Sequence, residues 1–282
     1  MNKYLTNYHS HCSFCDGRAP MEEFIIQAIK MGFTSYGISS HAPLPFHRLW
    51  AMEKNEVSAY LSEFNFLKEK YSHQIDLFVG MEIDYLDAES NPANTYYQSL
   101  PLDYRIGSVH LLHGLNGEIV DIDGDRKGFK ENLKISLGGE LKPVVKAYFD
   151  KMMQMIDAGG FDFIGHCDKI FYNALYVCPD MLEKEWYNRL MADFFDFIAE
   201  RGSMIELNTK AFDETGFFFP NAKYLSMIRD RKIPVLVNSD AHYPDRIHSG
   251  LSSGYEALLL CGIREVVQRR GTSWQLVPLV CS

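Results

Sequence analysis

The sequence has few of the features that place a protein in a membrane or on nucleic acid. It contains no run of about 18 apolar residues, so no membrane-spanning helix is expected. The N-terminal segment has no long apolar stretch of the kind found in signal peptides, and we expect a cytoplasmic protein without membrane contacts. Its 28 basic and 37 acidic side chains give a net charge of −9. This balance disfavours a broad nucleic-acid-binding surface.

Cysteines are also few and scattered. Six occur in the chain, and Cys12 and Cys15 form a CxxC pair. A structural zinc site needs four ligands, and no second CxxC supplies the other two. A redox role of the thioredoxin type is weakly supported, because the pair lies inside a histidine motif. We therefore expect the cysteines to be reduced and structural.

The chain shows one pattern along most of its length, an alternation of strand-like and helix-like segments. Its 282 residues are 46% hydrophobic, which is enough to bury a complete core. Apolar runs alternate with helical periodicity about seven times, without repeats or a linker. Such alternation favours a parallel sheet closed into a barrel. Residues 1–282 are thus predicted to form a single α/β domain, with segment 112–139, rich in Gly, Asp and Lys, as a loop.

The ends of the predicted strands carry side chains that bind metals. In six places an apolar run stops and a His, Asp or Glu follows at once. The carboxyl ends of parallel barrel strands all lie on one face, so these side chains are expected to converge. They are His9 with His11, His41, Glu82, His110, His166, and Asp240 with His242.

Taken one at a time, these residues also have ordinary explanations. A strand-end histidine is commonly a satisfied polar residue, Glu82 could cap a turn, and Asp240 could cap a helix. Such explanations do not account for a ligand at nearly every strand end. His9 and His11, two residues apart, would in addition point to the same side of a strand. His73 lies outside the pattern and is expected on the surface.

The mixture of ligands indicates the metals and the substrate. Imidazoles combined with carboxylates suit zinc, iron or manganese, and the number of ligands indicates two or three divalent metal ions. Several metals would make the site positive inside an acidic protein, and they would activate water for an in-line displacement. The sequence therefore predicts hydrolysis of a small-molecule phosphate ester in preference to a neutral amide. The oligomeric state stays open.

The motifs match a known family in kind and in order. YHSHCSFCDG, SSHAP, GMEID, GSVH, IGHCD and NSDAH resemble those of the polymerase and histidinol phosphatase (PHP) superfamily, and most closely its histidinol phosphatases, from about Tyr8 to His242. The resemblance implies a distorted (β/α)7 TIM-like barrel with a trinuclear metal centre. One metal would be held by His9, His11, Glu82 and Asp240, the second by Glu82, His110 and His166, and the third by Asp16, His41 and His242.

The resemblance also implies a reaction. L-histidinol phosphate and water would give L-histidinol and phosphate, a step of histidine biosynthesis, through a metal-bridging hydroxide. Glu82, Asp240 and His242 would be the catalytic residues. Candidates for substrate binding are the basic residues Arg246, Lys169, Lys210 and Arg105, with Asn208 and Ser108 lining the pocket, and with Asp168 or Asp213 as partner of the substrate's amine.

Three other functions are compatible with parts of the pattern. A related PHP-type phosphoesterase would act on nucleotides or another small phosphate ester, with the cluster 217–219 of three phenylalanines as a stacking surface. A barrel amidohydrolase shares the HxH pair, but Asp16, His41 and Glu82 exceed its usual ligand set. A non-enzymatic relative would be expected to have lost ligands, whereas all of the matched positions are present.

Overall fold

The computed structural model describes residues 5–279, and its centre is a seven-stranded parallel sheet. The strands of the chain are β1 (Leu5–Asn7), β2 (Phe33–Ile38), β3 (Asp76–Asp84), β4 (Tyr104–Ser108), β5 (Leu111–His113), β6 (Ile119–Asp121), β7 (Phe163–Ile164), β8 (Met204–Asn208), β9 (Val235–Asn238), β10 (Glu265–Arg270) and β11 (Ser273–Pro278). The sheet has the order β1-β2-β3-β4-β7-β8-β9. Its two edges meet at a parallel bridge between Ser10 and Ala241, where the amide of His11 donates to the Ala241 carbonyl at 2.8 Å. The predicted barrel is confirmed.

Helices lie between successive strands of the seven-stranded sheet, as the alternating pattern predicted. They are α1 (Met21–Lys30), α2 (Val57–Lys70), α3 (Thr95–Ser99), α4 (Arg126–Ile135), α5 (Leu141–Ala158), α6 (Ile170–Val177), α7 (Glu185–Arg201), α8 (Phe212–Thr215), α9 (Leu225–Asp230) and α10 (Leu251–Cys261). Their apolar faces follow helical spacing, and in α5 this buries Val145, Tyr148, Met152 and Ile156. Within residues 5–279, none of the helices has the length and apolarity needed to span a bilayer.

Aromatic side chains fill the end of the barrel at which the strands begin. Tyr8, Tyr104 and Phe163 are fully buried there. The antiparallel hairpin β10–β11 lies against this end, and its Trp274 contacts Tyr8 edge to face with 5.2 Å between ring centroids. The Trp274 indole also donates to Asp162 at 2.8 Å. Since this end is filled, the opposite end, where the strands finish, is the one at which a site can open.

The segment 112–139, predicted to be a loop, contains regular structure. It includes most of the hairpin β5–β6 and the whole of α4. The side chain of Asp125 caps α4 by accepting two backbone amide hydrogen bonds. Phe129 and Leu133, four residues apart, form the buried face of this helix. The loop prediction was wrong because most of the glycines and aspartates behind it occupy the short turns between these elements.

Candidate metal centre

The first strand leads into two imidazoles and a carboxylate. His9 and His11 are fully buried, and their ring centroids lie 5.1 Å apart. Asp16 follows in a turn that folds back on the strand. A Cβ at Gly17 would lie 2.3 Å from the His11 carbonyl oxygen, so this close approach requires glycine. The turn thereby brings Asp16 to the same end of the barrel as the two histidines.

Glu82, on β3, is the central carboxylate. Its Oε2 lies 3.3 Å from Nε2 of His9, 3.5 Å from Nε2 of His11 and 3.0 Å from Nδ1 of His41. These three imidazoles come from the segments that follow β1 and β2. One oxygen of Glu82 therefore faces the ligands contributed by the two preceding strands.

The other oxygen of Glu82 faces the opposite way along the sheet. Oε1 lies 2.8 Å from Nε2 of His166 and 3.5 Å from Nε2 of His110, which follow β7 and β4. Ser108 holds this oxygen by donating a hydrogen bond at 2.7 Å. A carboxylate whose two oxygens face separate groups of imidazoles is placed to bridge two cations.

The last barrel strand ends at Asp240 and His242. Asp240 has a φ of +49°, a strained conformation for a residue with a side chain and one that recurs at functional sites. Its Oδ1 lies 3.3 Å from Nε2 of His11, 3.5 Å from Nδ1 of His242 and 3.2 Å from Nζ of Lys210. Nε2 of His242 is in turn 3.3 Å from Oδ1 of Asp16. First and last strands thus share one site.

The donor atoms form overlapping groups that fit divalent cations. Three of these groups are His9, His11 and Glu82; Glu82, His110 and His166; and His11, Asp16, His41 and His242, with the atoms of each within 4.8 Å of one another. Among the described residues, Nε2 of His9, Nε2 of His11 and Oδ1 of Asp16 are buried without a hydrogen-bond partner. Buried polar atoms are normally satisfied, so unpaired donors around a common centre suit metal binding. The site is therefore one for divalent metals.

The electrostatics of the site keep its carboxylates ionised. Burial alone would raise the pKa of Glu82, but the surrounding imidazoles, His9 foremost, hold that pKa well below its usual range. Burial acts in the same direction on the pKa of Asp240, and Lys210 and the neighbouring histidines reverse it. Both groups are thus deprotonated at neutral pH, which is the state that metal ligation requires.

Two buried carboxylates that the sequence reasoning missed orient the imidazoles. Glu206, on β8, accepts from Nδ1 of His9 at 3.0 Å and from the amide of His166 at 2.9 Å. Asp84 accepts from Nδ1 of His110 at 3.0 Å. A carboxylate on the far nitrogen fixes the tautomer that leaves Nε2 free for a metal. The available signal was a carboxylate inside an apolar strand, as for Glu206 in MIELN.

A cavity of about 170 Å³ opens over the centre. It is lined by Asp16, His41, Trp50, Glu82, His110, Asp121, Asp123, Gly124, His166, Lys169, Lys210, Asp240 and His242. Two predicted substrate contacts, Lys169 and Lys210, are therefore at its wall. Nζ of Lys169 lies 3.3 Å from Asp123, and Nζ of Lys210 lies 3.2 Å from Asp240.

Arg105, also predicted to contact the substrate, lies away from this cavity. Its guanidinium donates to the backbone carbonyls of Tyr97 and Leu100, each at 3.0 Å. Side chains alternate along a strand, and its neighbours Tyr104 and Ile106 are the ones buried in the barrel interior. Arg105 consequently points outward, and its assignment to the substrate is corrected.

Five further predicted contacts also lie outside the cavity lining: Arg246, Asn208, Ser108, Asp168 and Asp213. Arg246 is exposed on a short 3-10 turn after His242. Asn208 is buried and donates to Asp240 at 3.2 Å. It therefore orients a proposed metal ligand instead of facing the substrate. Asp168 is fully buried and accepts from the Asn221 amide at 2.9 Å.

Comparison with known proteins identifies the family. A model of the PHP domain matches residues 7–210. The chain belongs to the PHP family. The match ends before Asp240 and His242, which the fold nevertheless brings into the same cluster of ligands.

The proteins similar to this chain include histidinol phosphatases. Histidinol-phosphatase of Bacillus subtilis is 26% identical over 268 residues, covering 89% of this chain and 97% of that protein. A solved histidinol phosphate phosphatase of Lactococcus lactis, complexed with zinc, L-histidinol and phosphate, gives a TM-score of 0.75 at 17% identity, covering 96% and 98%. A structure from Listeria monocytogenes, described as a candidate histidinol phosphatase, gives a TM-score of 0.79 at 22% identity. The match covers 88% of this chain and 99% of that one. The PHP barrel predicted from the motifs is thereby confirmed.

Proposed function

We propose that this PHP protein is a histidinol-phosphatase, which hydrolyses L-histidinol phosphate to L-histidinol and phosphate in histidine biosynthesis. The cluster of buried imidazoles and carboxylates around Glu82, open to a cavity flanked by two lysines, carries the proposal. Relatives matched along most of their length bear this name, the Bacillus subtilis protein among them. The related Lactococcus lactis structure contains L-histidinol and phosphate together with zinc.

The cluster would hold two or three divalent ions, which we expect to be zinc, iron or manganese. One set of ligands is His9, His11, Glu82 and Asp240, another is Glu82, His110 and His166, and a third is Asp16, His41 and His242. When bound, such ions acidify a coordinated water and neutralise the charge that develops on phosphate oxygens.

The chain's own residues bind and orient the substrate around that centre. Lys169 and Lys210 place two ammonium groups at the cavity wall, where they attract a phosphate. His242 is 14% exposed and lies 3.5 Å from Nζ of Lys210. Its Nδ1 lies 3.1 Å from the Asp240 backbone carbonyl, which leaves Nε2 for the third metal position at the edge of the cavity.

A nucleotide substrate, the main alternative, receives less support from the geometry. The three phenylalanines that could stack on a base are at positions 217–219. Phe218 and Phe219 are 3% and 1% exposed. They are thus part of the core, and they offer no open face to a base.

Phosphate release by purified, metal-replete protein tests the proposal. We expect L-histidinol phosphate to be hydrolysed with kcat/KM of about 10⁴ M⁻¹s⁻¹ or above, well ahead of nucleotides and sugar phosphates. The metal content of the same sample should be two or three ions per chain. Bound metals with no preference for L-histidinol phosphate would instead indicate a phosphoesterase for nucleotides or another small phosphate ester.

A further inference from the structure

The cavity has a second wall whose chemistry differs from that of the metal centre. Apart from the proposed ligands, its lining consists of Trp50, Asp121, Asp123, Gly124, Lys169 and Lys210. Asp121 and Asp123 are carboxylates at this wall that belong to none of the ligand groups found among residues 5–279. Carboxylates repel phosphate, so a carboxylate that faces this cavity without a structural role indicates a positively charged group on the ligand.

Asp121 has a structural role that presents Asp123 to the cavity. Its Oδ2 accepts from the Trp50 indole at 3.2 Å, and its Oδ1 accepts from the amides of Asp123 and Gly124 at 2.8 and 3.1 Å. Both oxygens are therefore engaged within the protein. These bonds fix the turn after β6, and that turn carries the Asp123 side chain.

Asp123, by contrast, forms an ion pair that leaves it open to the cavity. Its side chain is 27% exposed, and Oδ2 lies 3.3 Å from Nζ of Lys169, whose side chain is 9% exposed. Burial raises the pKa of Asp123, but Lys169 and nearby cations bring it below the usual value. The wall therefore presents a carboxylate and an ammonium side by side.

The substrate of the proposed function carries one negative and one positive group, which complement the ammonium and the carboxylate of this wall. In L-histidinol phosphate the protonated amine and the phosphate oxygen are joined through two carbons. A phosphate directed to the metals and Lys169 would leave this amine beside the neighbouring carboxylate. We propose that Asp123 binds the protonated primary amine of the substrate and makes the site selective for 2-aminoalkyl phosphate monoesters.

The proposal rests on the proposed function and replaces Asp168 and Asp213 as partners of the amine. Asp168 is buried outside the cavity, and Asp213 is exposed on α8, also outside the lining residues. Asp123 is on the turn between β6 and α4, which is an insertion between barrel strands. Selectivity would thus reside on the insertion, while the strand ends supply the metal ligands.

Two pairs of substrates test the amine contact in Asp123→Asn and in the wild type. The first pair is L-histidinol phosphate and its des-amino analogue, 3-(imidazol-4-yl)propyl phosphate. The second is 2-aminoethyl phosphate and ethyl phosphate, which have the same amine-to-phosphate spacing without the imidazole. We expect the ratio of kcat/KM, amine-bearing over amine-free, to fall at least about tenfold in Asp123→Asn for both pairs, since the ammonium then faces a neutral amide instead of a charged acceptor.

The ratio is measured on one protein sample, so partial unfolding or metal loss cancels. Asp213→Asn, a matched carboxylate outside the cavity, should keep the wild-type ratio. An unchanged ratio in Asp123→Asn, whatever the fall in both rates, would overturn the amine contact. In a third outcome, the wild type has the same kcat/KM for both members of the histidinol pair, but its ratio for 2-aminoethyl phosphate over ethyl phosphate depends on Asp123. That result would support the amine contact and overturn the proposed substrate.

Discussion

The side chains of the proposed metal centre are of two kinds. Some would face a bound metal, and others hold these metal-facing side chains in place. Glu82 belongs to the first kind, because each of its oxygens faces a separate group of imidazoles. Glu206 belongs to the second, since it contacts the far nitrogen of His9. Both carboxylates are almost completely buried, at 1% and 0% exposure. Loss of either charge leaves buried imidazoles without their counter-charge.

Glu82→Gln should abolish most of the phosphatase activity and leave the fold largely intact. The amide has nearly the same shape, but it lacks the charge needed to bridge two cations. Turnover, bound metal and circular dichroism should be measured together. Near-normal turnover with metals still bound would contradict the bridging role. His73→Ala, at an exposed position after α2, is the control and should change little.

Glu206→Gln should weaken metal affinity or activity by about 10–100-fold, the usual effect of losing a carboxylate behind a ligating imidazole. The reason is that Nδ1 of His9 then loses its charged acceptor, while the packing of the strand is kept. A metal titration followed by kcat at saturating metal measures it. Glu200→Gln, at an exposed position on α7, should titrate like the wild type. A Glu206→Gln variant that also titrated like the wild type would contradict the positioning role of Glu206.

The sequence allowed prediction of residues whose position in the chain reveals their function. His110 and His166 each follow an apolar run, and parallel topology alone brings them together. Glu206 acts on a partner 197 residues away, and no spacing predicts that contact. Arg105 was misassigned because proximity to a strand-end motif does not reveal which face of the strand a side chain occupies.

Among the elements, the insertion between β4 and α5 supplies Asp121, Asp123 and Gly124 to the cavity wall. It comprises the hairpin β5–β6 and α4, and it is tied to the loop after His41 by two hydrogen bonds. Arg48 donates to the Ile119 carbonyl at 3.3 Å, and Trp50 donates to Asp121 at 3.2 Å. From behind, Asn132 of α4 donates to the Asp121 carbonyl at 3.3 Å. The stability of α4 therefore bears on the wall that carries Asp123.

Asp125→Ala should destabilise the protein by about 1 kcal/mol, because the N-cap of α4 loses its acceptor for two backbone amides. Urea unfolding followed by circular dichroism measures the change. Asp193→Ala, at an exposed position in the middle of α7, removes an aspartate that caps nothing. It should stay within about 0.5 kcal/mol of the wild type. Equal effects of both substitutions would argue against the cap.

For the protein as a complete barrel, the two ends have opposite properties. One end is filled with aromatic rings and closed by β10–β11, and the other holds charged groups around a cavity. Sequence periodicity predicted the barrel but not this hairpin, because its strands belong to a separate two-stranded sheet. Packing supplies the stability at one end, and bound metals should add stability at the other.

Trp274→Ala should destabilise the protein by about 3 kcal/mol, as removal of a large aromatic side chain from a packed cluster does. The indole contacts Tyr8, Tyr104 and Phe163, with centroids 5.2 to 6.0 Å away. Urea unfolding is the measurement. Leu276→Ala on the same strand, where the side chain is 58% exposed, is the matched control and should have a small effect. A loss no larger than that of the control would contradict the packing role.

Removal of metal should lower the Tm of the protein. A cation that binds the folded cluster and not the unfolded chain stabilises the fold by mass action. Thermal unfolding before and after dialysis against a chelator, with metal content verified, measures the shift. Restoring the Tm by adding zinc or manganese would exclude damage by the chelator. An unchanged Tm after verified loss of metal would show that the cluster does not couple to folding.

The bridge between Ser10 and Ala241 has a consequence for biosynthesis on the ribosome. The chain begins its barrel with the strand that supplies His9 and His11 and finishes it with the strand that supplies Asp240 and His242. A nascent chain shorter than about β9 would have an open seam and an incomplete set of ligands, although N-terminal parts fold first during synthesis. Metal acquisition is thus expected to be a late, post-translational event, and a prematurely terminated chain would compete poorly for the cell's metal.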